Sequence, residues 1–149
     1  VTPDKEAAAR AAIVTEAISW ERTPYHPHAR LKGIGVDCAQ FPAAVYEAAG
    51  LVPHLAPEYS AQWMLHRDEE HFLAWVTPHA TEISRGQLGP GDFVIWKFGR
   101  VFSHGAIVIE PPEVIHAVIR GNAVIRANID RDEDLRSLPV KYFSLFGSK

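Results

Sequence analysis

Residues 4–20, "DKEAAARAAIVTEAISW", place Ile13, Ala17 and Trp20 at helical spacing among alanines and charged residues. The pattern predicts an amphipathic helix with one buried face. Residues 21–35, "ERTPYHPHARLKGIG", contain two prolines and two glycines and read as loop. A second helix is predicted over 38–49, stopped by Gly50 with Pro53 just beyond. Residues 60–76, "SAQWMLHRDEEHFLAWV", predict a third helix with Trp63, Phe72 and Trp75 toward its buried side and Pro78 limiting its length.

The pattern then changes period. "LGPGD", residues 88–92, is a turn, and four short runs follow: "FVIWKF", "VFSHGAIVIE", "EVIHAVI" and "AVIRANI". They are rich in β-branched and aromatic residues and are separated by turn residues, with "PPE" at 111–113 as a tight connection. Helices first and a strand meander afterwards predict an α+β fold, with N-terminal helices packed on a central antiparallel β-sheet. With no repeat, low-complexity segment or linker, residues 1–149 read as one domain.

Composition narrows the function classes. The 149 residues are 47% apolar and 22% charged, an ordinary balance for a chain with one sizeable core. A net charge of -3 offers no basic field for nucleic acid. No apolar run is long enough to span a bilayer, and "VTPDKEAAAR" lacks the apolar centre of a signal peptide, so localisation stays open. The single cysteine, Cys38, excludes an intramolecular disulfide and a multi-thiolate zinc site.

Cys38 stands at the predicted start of the second helix. Unpaired N–H groups and the positive end of the helix dipole favour a thiolate there. Asp37 is the expected N-cap and Gln40, three residues on, the expected partner of a capping box. Pro42 removes the N–H that would bond the Cys38 carbonyl. A lone cysteine is more often a small core residue, but "SHGAIVIEPPEVIHA" supplies His104 and His116 on neighbouring predicted strands. Together the three residues make a nucleophile, a base and a group that orients the base. His104 and His116 share a sheet face as diagonal neighbours if His104 opposes Val118. That register requires an odd-length turn or a bulge around "EPPE".

The order of these features resembles the NlpC-type cysteine peptidases of bacterial cell walls, particularly the phage-associated members. It comprises "TPY", Asp-Cys at a helix start, Pro-Gly-Asp before a strand, Ser-His-Gly, and a second histidine twelve residues later, over about 25–117. The resemblance implies a papain-like fold, with Cys38 as nucleophile, His104 as general base and His116 as the polar third member. Tyr25 would stabilise the oxyanion together with the Cys38 N–H. It further implies hydrolysis of peptidoglycan stem peptides, specifically the bond between D-glutamate and a diamino acid, through a thioester on Cys38. Delivery by a larger assembly such as a phage tail, or free action of the domain, is expected. The sequence departs from the family pattern in two places. "DCAQ" stands for Asp-Cys-Ser-Gly, and "HPHARLKGIG" replaces a Trp-Gly-Gly loop.

No cofactor and no metal are expected. "GIG" lacks the third glycine of a nucleotide loop. His26 with His28 and His66 with His71 lack ligand spacing, and "RDEEH" reads as a solvated helix face. Two rival readings stay open at this level: acyl transfer from the same thioester, and a catalytically vestigial binding or tail-assembly module.

Overall fold

The computed structural model describes residues 2–51 and 77–146. The helix expected at 60–76 lies outside the described residues. Helix α1 spans Pro3–Ser19, with Thr2 as N-cap accepting from Lys5 N–H at 3.2 Å, Pro3 at its start, and Asp4 and Glu6 in the first turn. All three features suit a helix N-terminus. Ile13 and Ala17 are fully buried, and Trp20, the C-cap, is 6% exposed.

A two-stranded hairpin follows, β1 (Arg30–Leu31) with β2 (Gly35–Val36). Helix α2 spans Gln40–Ala48, and Gly50 behind it has φ +76°, a conformation glycine adopts without strain. The remaining strands are β3 (Thr81–Ile83), β4 (Phe93–Phe98), β5 (Val101–Glu110), β6 (Glu113–Val118), β7 (Ala123–Asn128) and β8 (Val140–Ser144). They form one antiparallel sheet in the order β3-β8-β4-β5-β6-β7. The meander β4–β7 is the expected one. Strand β8 was not legible as a strand, yet it inserts between β3 and β4.

Alternation along the strands divides the apolar residues between two faces. Phe93, Ile95, Ile107, Ile115 and Ala117 face the helices and pack with Ile13, Ala17, Trp20, Phe41, Val45 and Tyr46. Val94, Trp96, Ala106, Val108 and Val114 form a second cluster, covered by Ile129 and Leu135 from the segment after β7. Tyr46, fully inside, donates its hydroxyl proton to Gly91 O at 2.9 Å, tying the C-terminal half of α2 to the turn before β4.

Two irregularities set the register of β5. Trp96 opposes His104 but Lys97 opposes Phe102, so Ser103 is bulged. On the other side Val108 opposes Val114 and Glu110 opposes Glu113, so Ile109 is bulged before the Pro111–Pro112 turn. This is the bulge expected around "EPPE". Extending the register of Ile107 with Ile115 sets His104 level with Val118 and makes His116 its diagonal neighbour on the same face.

Candidate active site

The turn leading into α2 is built around Asp37, which is completely buried. Its Oδ1 accepts from Ala39 N–H at 3.1 Å and Gln40 N–H at 2.8 Å, and its Oδ2 accepts from His28 N–H at 2.7 Å. The Asp37 carbonyl accepts from Phe41 N–H at 3.0 Å, the first helical bond. Asp37 thus caps the helix as expected. The other arm of the capping box is replaced: the Gln40 carbonyl oxygen accepts from Arg30 Nε at 2.9 Å. Arg30 also pairs with Glu47, so the β1 hairpin is fastened to both ends of α2. Burial raises the Asp37 pKa, and the N–H groups of Gln40, His28 and Ala39 pull it back down.

Cys38 follows this cap in the turn before α2, two residues ahead of Gln40, although the sequence placed it as the first helical residue, and is partly exposed. The Tyr25 hydroxyl donates toward Cys38 Sγ at 3.9 Å. Tyr25 itself is held by its N–H to Asn122 O at 2.9 Å, and Val36 N–H donates to Pro24 O at 3.0 Å. These bonds bring the segment before β1, the strand before Cys38, and the β6–β7 turn to one end of the sheet. Burial, followed by the charges of Cys38 and Asp37, raises the Tyr25 pKa well above its ordinary value. The phenol therefore keeps its proton and acts as a donor.

His104 and His116 meet at the same end of the sheet, on the Trp96 face. His104 Nε2 and His116 Nδ1 are 2.7 Å apart, and the rings cross at 73°. Burial lowers the His104 pKa to about 3, with His116 adding to the effect, and lowers that of His116 to about 4, opposed by the charge of Asp132. Both rings are neutral at physiological pH, so one nitrogen of the pair donates and the other accepts. Among the described residues His116 Nε2 is buried without a hydrogen-bond partner.

The structure thus describes two contacts within the expected set, Tyr25 with Cys38 and His104 with His116. Two aromatic neighbours were not read from the sequence. Phe98 stacks on His104 at 4.8 Å and 13°, and the Trp96 ring lies 6.0 Å from His104 and 6.4 Å from His116. "FVIWKF" carries their signal, because every second residue of a strand paired with β5 must share the histidine face. Among the described residues no group of three or more His, Cys, Asp or Glu is arranged to hold a metal ion. None of the described helices is long and apolar enough to cross a membrane.

No family model and no curated protein matches the chain. Solved structures do. The NlpC/p60 domain of the peptidoglycan hydrolase SagA is 25% identical, with a TM-score of 0.58, over 89% of this chain and 96% of that one. NlpC1 from Trichomonas vaginalis is 13% identical with a TM-score of 0.68, covering 95% of this chain and 45% of that one. The chain therefore spans less than half the length of that protein. RipD from Mycobacterium tuberculosis, described as a non-catalytic NlpC/p60 domain adapted to peptidoglycan binding, is 11% identical with a TM-score of 0.60, over 91% and 96%. The chain has the NlpC/p60 fold, and the motif order from Tyr25 to His116 sits on the elements that this α+β architecture supplies.

Proposed function

We propose that the protein is a cysteine peptidase that cleaves a peptide bond in the peptidoglycan stem, with Cys38, His104 and His116 as its catalytic set. The observation that carries the reading is the 2.7 Å pairing of the two neutral imidazoles. If His104 Nε2–H donates to His116 Nδ1, the His104 Nδ1 lone pair is left to accept a proton. The NlpC/p60 fold supports the same reading, as does the capped turn that sets Cys38 against the Tyr25 hydroxyl.

Because α2 packs on one face of the sheet and the histidines lie on the other, this mechanism requires Cys38 Sγ and His104 Nδ1 to approach each other around the end of the sheet. His104 takes the thiol proton as sulfur attacks the carbonyl carbon. The tetrahedral oxyanion accepts from the Tyr25 hydroxyl and the Cys38 N–H. The intermediate collapses, and the leaving amine takes the proton from His104. Water then gives a proton to His104 and attacks the thioester, releasing the acid and the Cys38 thiol. The imidazolium formed in each half is buried, and its Nε2–H bond to His116 offsets part of the burial cost. The bond between D-glutamate and a diamino acid is the specific substrate proposed, and delivery by a larger assembly such as a phage tail belongs to the same proposal.

Incubation with defined muropeptides, read by mass spectrometry, tests this. Products that gain one water support hydrolysis, and transfer of the acyl group to an added amine supports the acyltransferase reading. Intact muropeptides that nonetheless bind the protein support a binding module, the role given to RipD.

A further inference from the structure

Phe98 is one of four large apolar side chains left exposed among the described residues, at 44%. Burial therefore does little to explain why the last residue of β4 is aromatic. Strand geometry shows where its ring goes. Trp96 stands opposite His104, and alternation along β4 returns Phe98 to the same face, one step nearer the strand end. A position two along from the opposed residue is a diagonal neighbour, which an aromatic side chain can reach. Gly99, at φ +68°, then turns the chain so that Phe98 still pairs with Val101. The Phe98 and His104 rings meet nearly parallel, 4.8 Å apart at 13°.

His104 is 5% exposed, and three rings line it. Trp96 lies at 6.0 Å with a 40° tilt, and His116 approaches edge-on at 5.0 Å and 73°. Of the three, Phe98 alone presents its face. The proposed mechanism puts a positive charge on His104 in each half-reaction. In a Ser-His-Asp arrangement a carboxylate stabilises that charge. Here the third member is a neutral imidazole, and among the described residues no carboxylate is hydrogen-bonded to either ring. The charge of Asp132 bears on His116, and a charge on His116 opposes one on His104. An aromatic face carries negative potential and attracts a cation within about 6 Å of its centroid, most strongly where water is excluded. The Phe98 ring lies inside that distance, over an imidazole that water barely reaches.

We infer that Phe98 is a positioning residue for the histidine pair: its ring holds the His104 plane, and its face stabilises the positive charge that His104 acquires on taking the Cys38 proton. No bond to Phe98 forms or breaks. The proton passes from Cys38 Sγ to His104 Nδ1, and the aromatic face attracts the imidazolium more strongly than the neutral ring. Leucine would cover His104 with similar bulk but offers no such face. The inference rests on the peptidase reading for the use made of that charge, but the thiol-to-imidazole transfer is measurable without substrate.

The experiment is the rate of Cys38 alkylation by iodoacetamide at neutral pH in the folded full chain. Wild type, Phe98→Leu and Phe98→Tyr are compared, each with His104 intact and with His104→Ala. Leucine at an exposed strand end should leave the fold intact, which thermal unfolding checks, and tyrosine keeps the ring. The expected result is a roughly threefold slower alkylation in Phe98→Leu, equivalent to about half a pKa unit in the transfer, and the wild-type rate in Phe98→Tyr. With His104→Ala, all three residues at position 98 should give one rate. For muropeptides, kcat/KM should fall by a similar factor in Phe98→Leu. Alkylation of Phe98→Leu equal to wild type shows that bulk alone matters and overturns the inference, as does a slowing that persists without His104. Alkylation that ignores His104→Ala in every variant overturns the inference together with the proposed thiol–imidazole pair. If no muropeptide is cleaved while alkylation still answers to Phe98 through His104, the peptidase reading fails and the Phe98 assignment stands.

Discussion

His104 Nε2 lies 2.7 Å from His116 Nδ1, and the two rings are 5% and 2% exposed, so a single proton is shared between two nearly sealed imidazoles. The folded pKa values, about 3 and about 4, lie below the ordinary value near 6.5. The unfolded chain therefore binds more protons between those limits. The stability contributed by the neutral rings is complete above a pH of about 6.5 and is lost as pH falls toward about 4. Each ring contributes up to about 1.4 kcal/mol per pH unit crossed. Burial raises the pKa of Asp37 and Asp92, which offsets part of the loss at the acid end. Thermal unfolding followed between pH 7.5 and 5 should show a falling Tm, with a shallower slope for His116→Asn. A Tm independent of pH would show that the rings are not buried neutral.

The role of His116 separates by substitution. Asparagine still offers an acceptor to His104 Nε2–H, so His116→Asn should keep much of the turnover. His116→Ala should lose more, and His104→Ala nearly all. Turnover of His116→Ala equal to wild type would remove His116 from the mechanism.

The nucleophile is tested by chemistry at sulfur. Iodoacetamide should alkylate Cys38 in the folded protein and abolish turnover, and the labelling rate should drop in His104→Ala because the base is gone. Cys38→Ser should fold and be nearly inactive, since a hydroxyl is a far poorer nucleophile with the same base. Labelling that is equally fast with and without His104 would uncouple the two residues.

Asp37→Ala removes the acceptor of three N–H groups, those of His28, Ala39 and Gln40. Loss of an N-cap costs about 0.5–2 kcal/mol, and the upper end is expected here because the site is fully buried. Denaturant unfolding should show this loss, and Cys38 labelling should change because the turn that carries it is released. Stability equal to wild type would mean the loop finds other partners.

Tyr25→Phe keeps the ring and removes the hydroxyl 3.9 Å from Cys38 Sγ. A well-formed oxyanion donor is worth about 10²–10³ in turnover. The expected loss is smaller, because a phenol on a loop is less preorganised than a backbone amide. Unchanged turnover with unchanged Tm would assign Tyr25 to packing alone.

The local signals were legible because they depend on neighbours in sequence. The helix-forming run from residue 4 gives α1, Asp37 caps α2, Gly50 ends it, and runs rich in β-branched and aromatic residues in 93–98, 101–110, 113–118 and 123–128 mark four strands. Strand period showed that two histidines twelve apart share a face only with an odd-length turn or a bulge between them, and the bulge is there at Ile109. Long-range pairing was not legible. Strand β8 mixes Lys141 and Ser144 with its apolar residues, and only its place between β3 and β4 makes it a strand. Gln40 reads as half of a capping box, but Arg30, brought in by the hairpin before it, takes its oxygen. The cover of the second face of the sheet by Ile129 and Leu135, beside Trp96, is likewise a product of packing. Sequence spacing decides which side chains share a face. Burial and the partners that arrive from distant elements decide which of them keep a proton, and those exist only once the chain has folded.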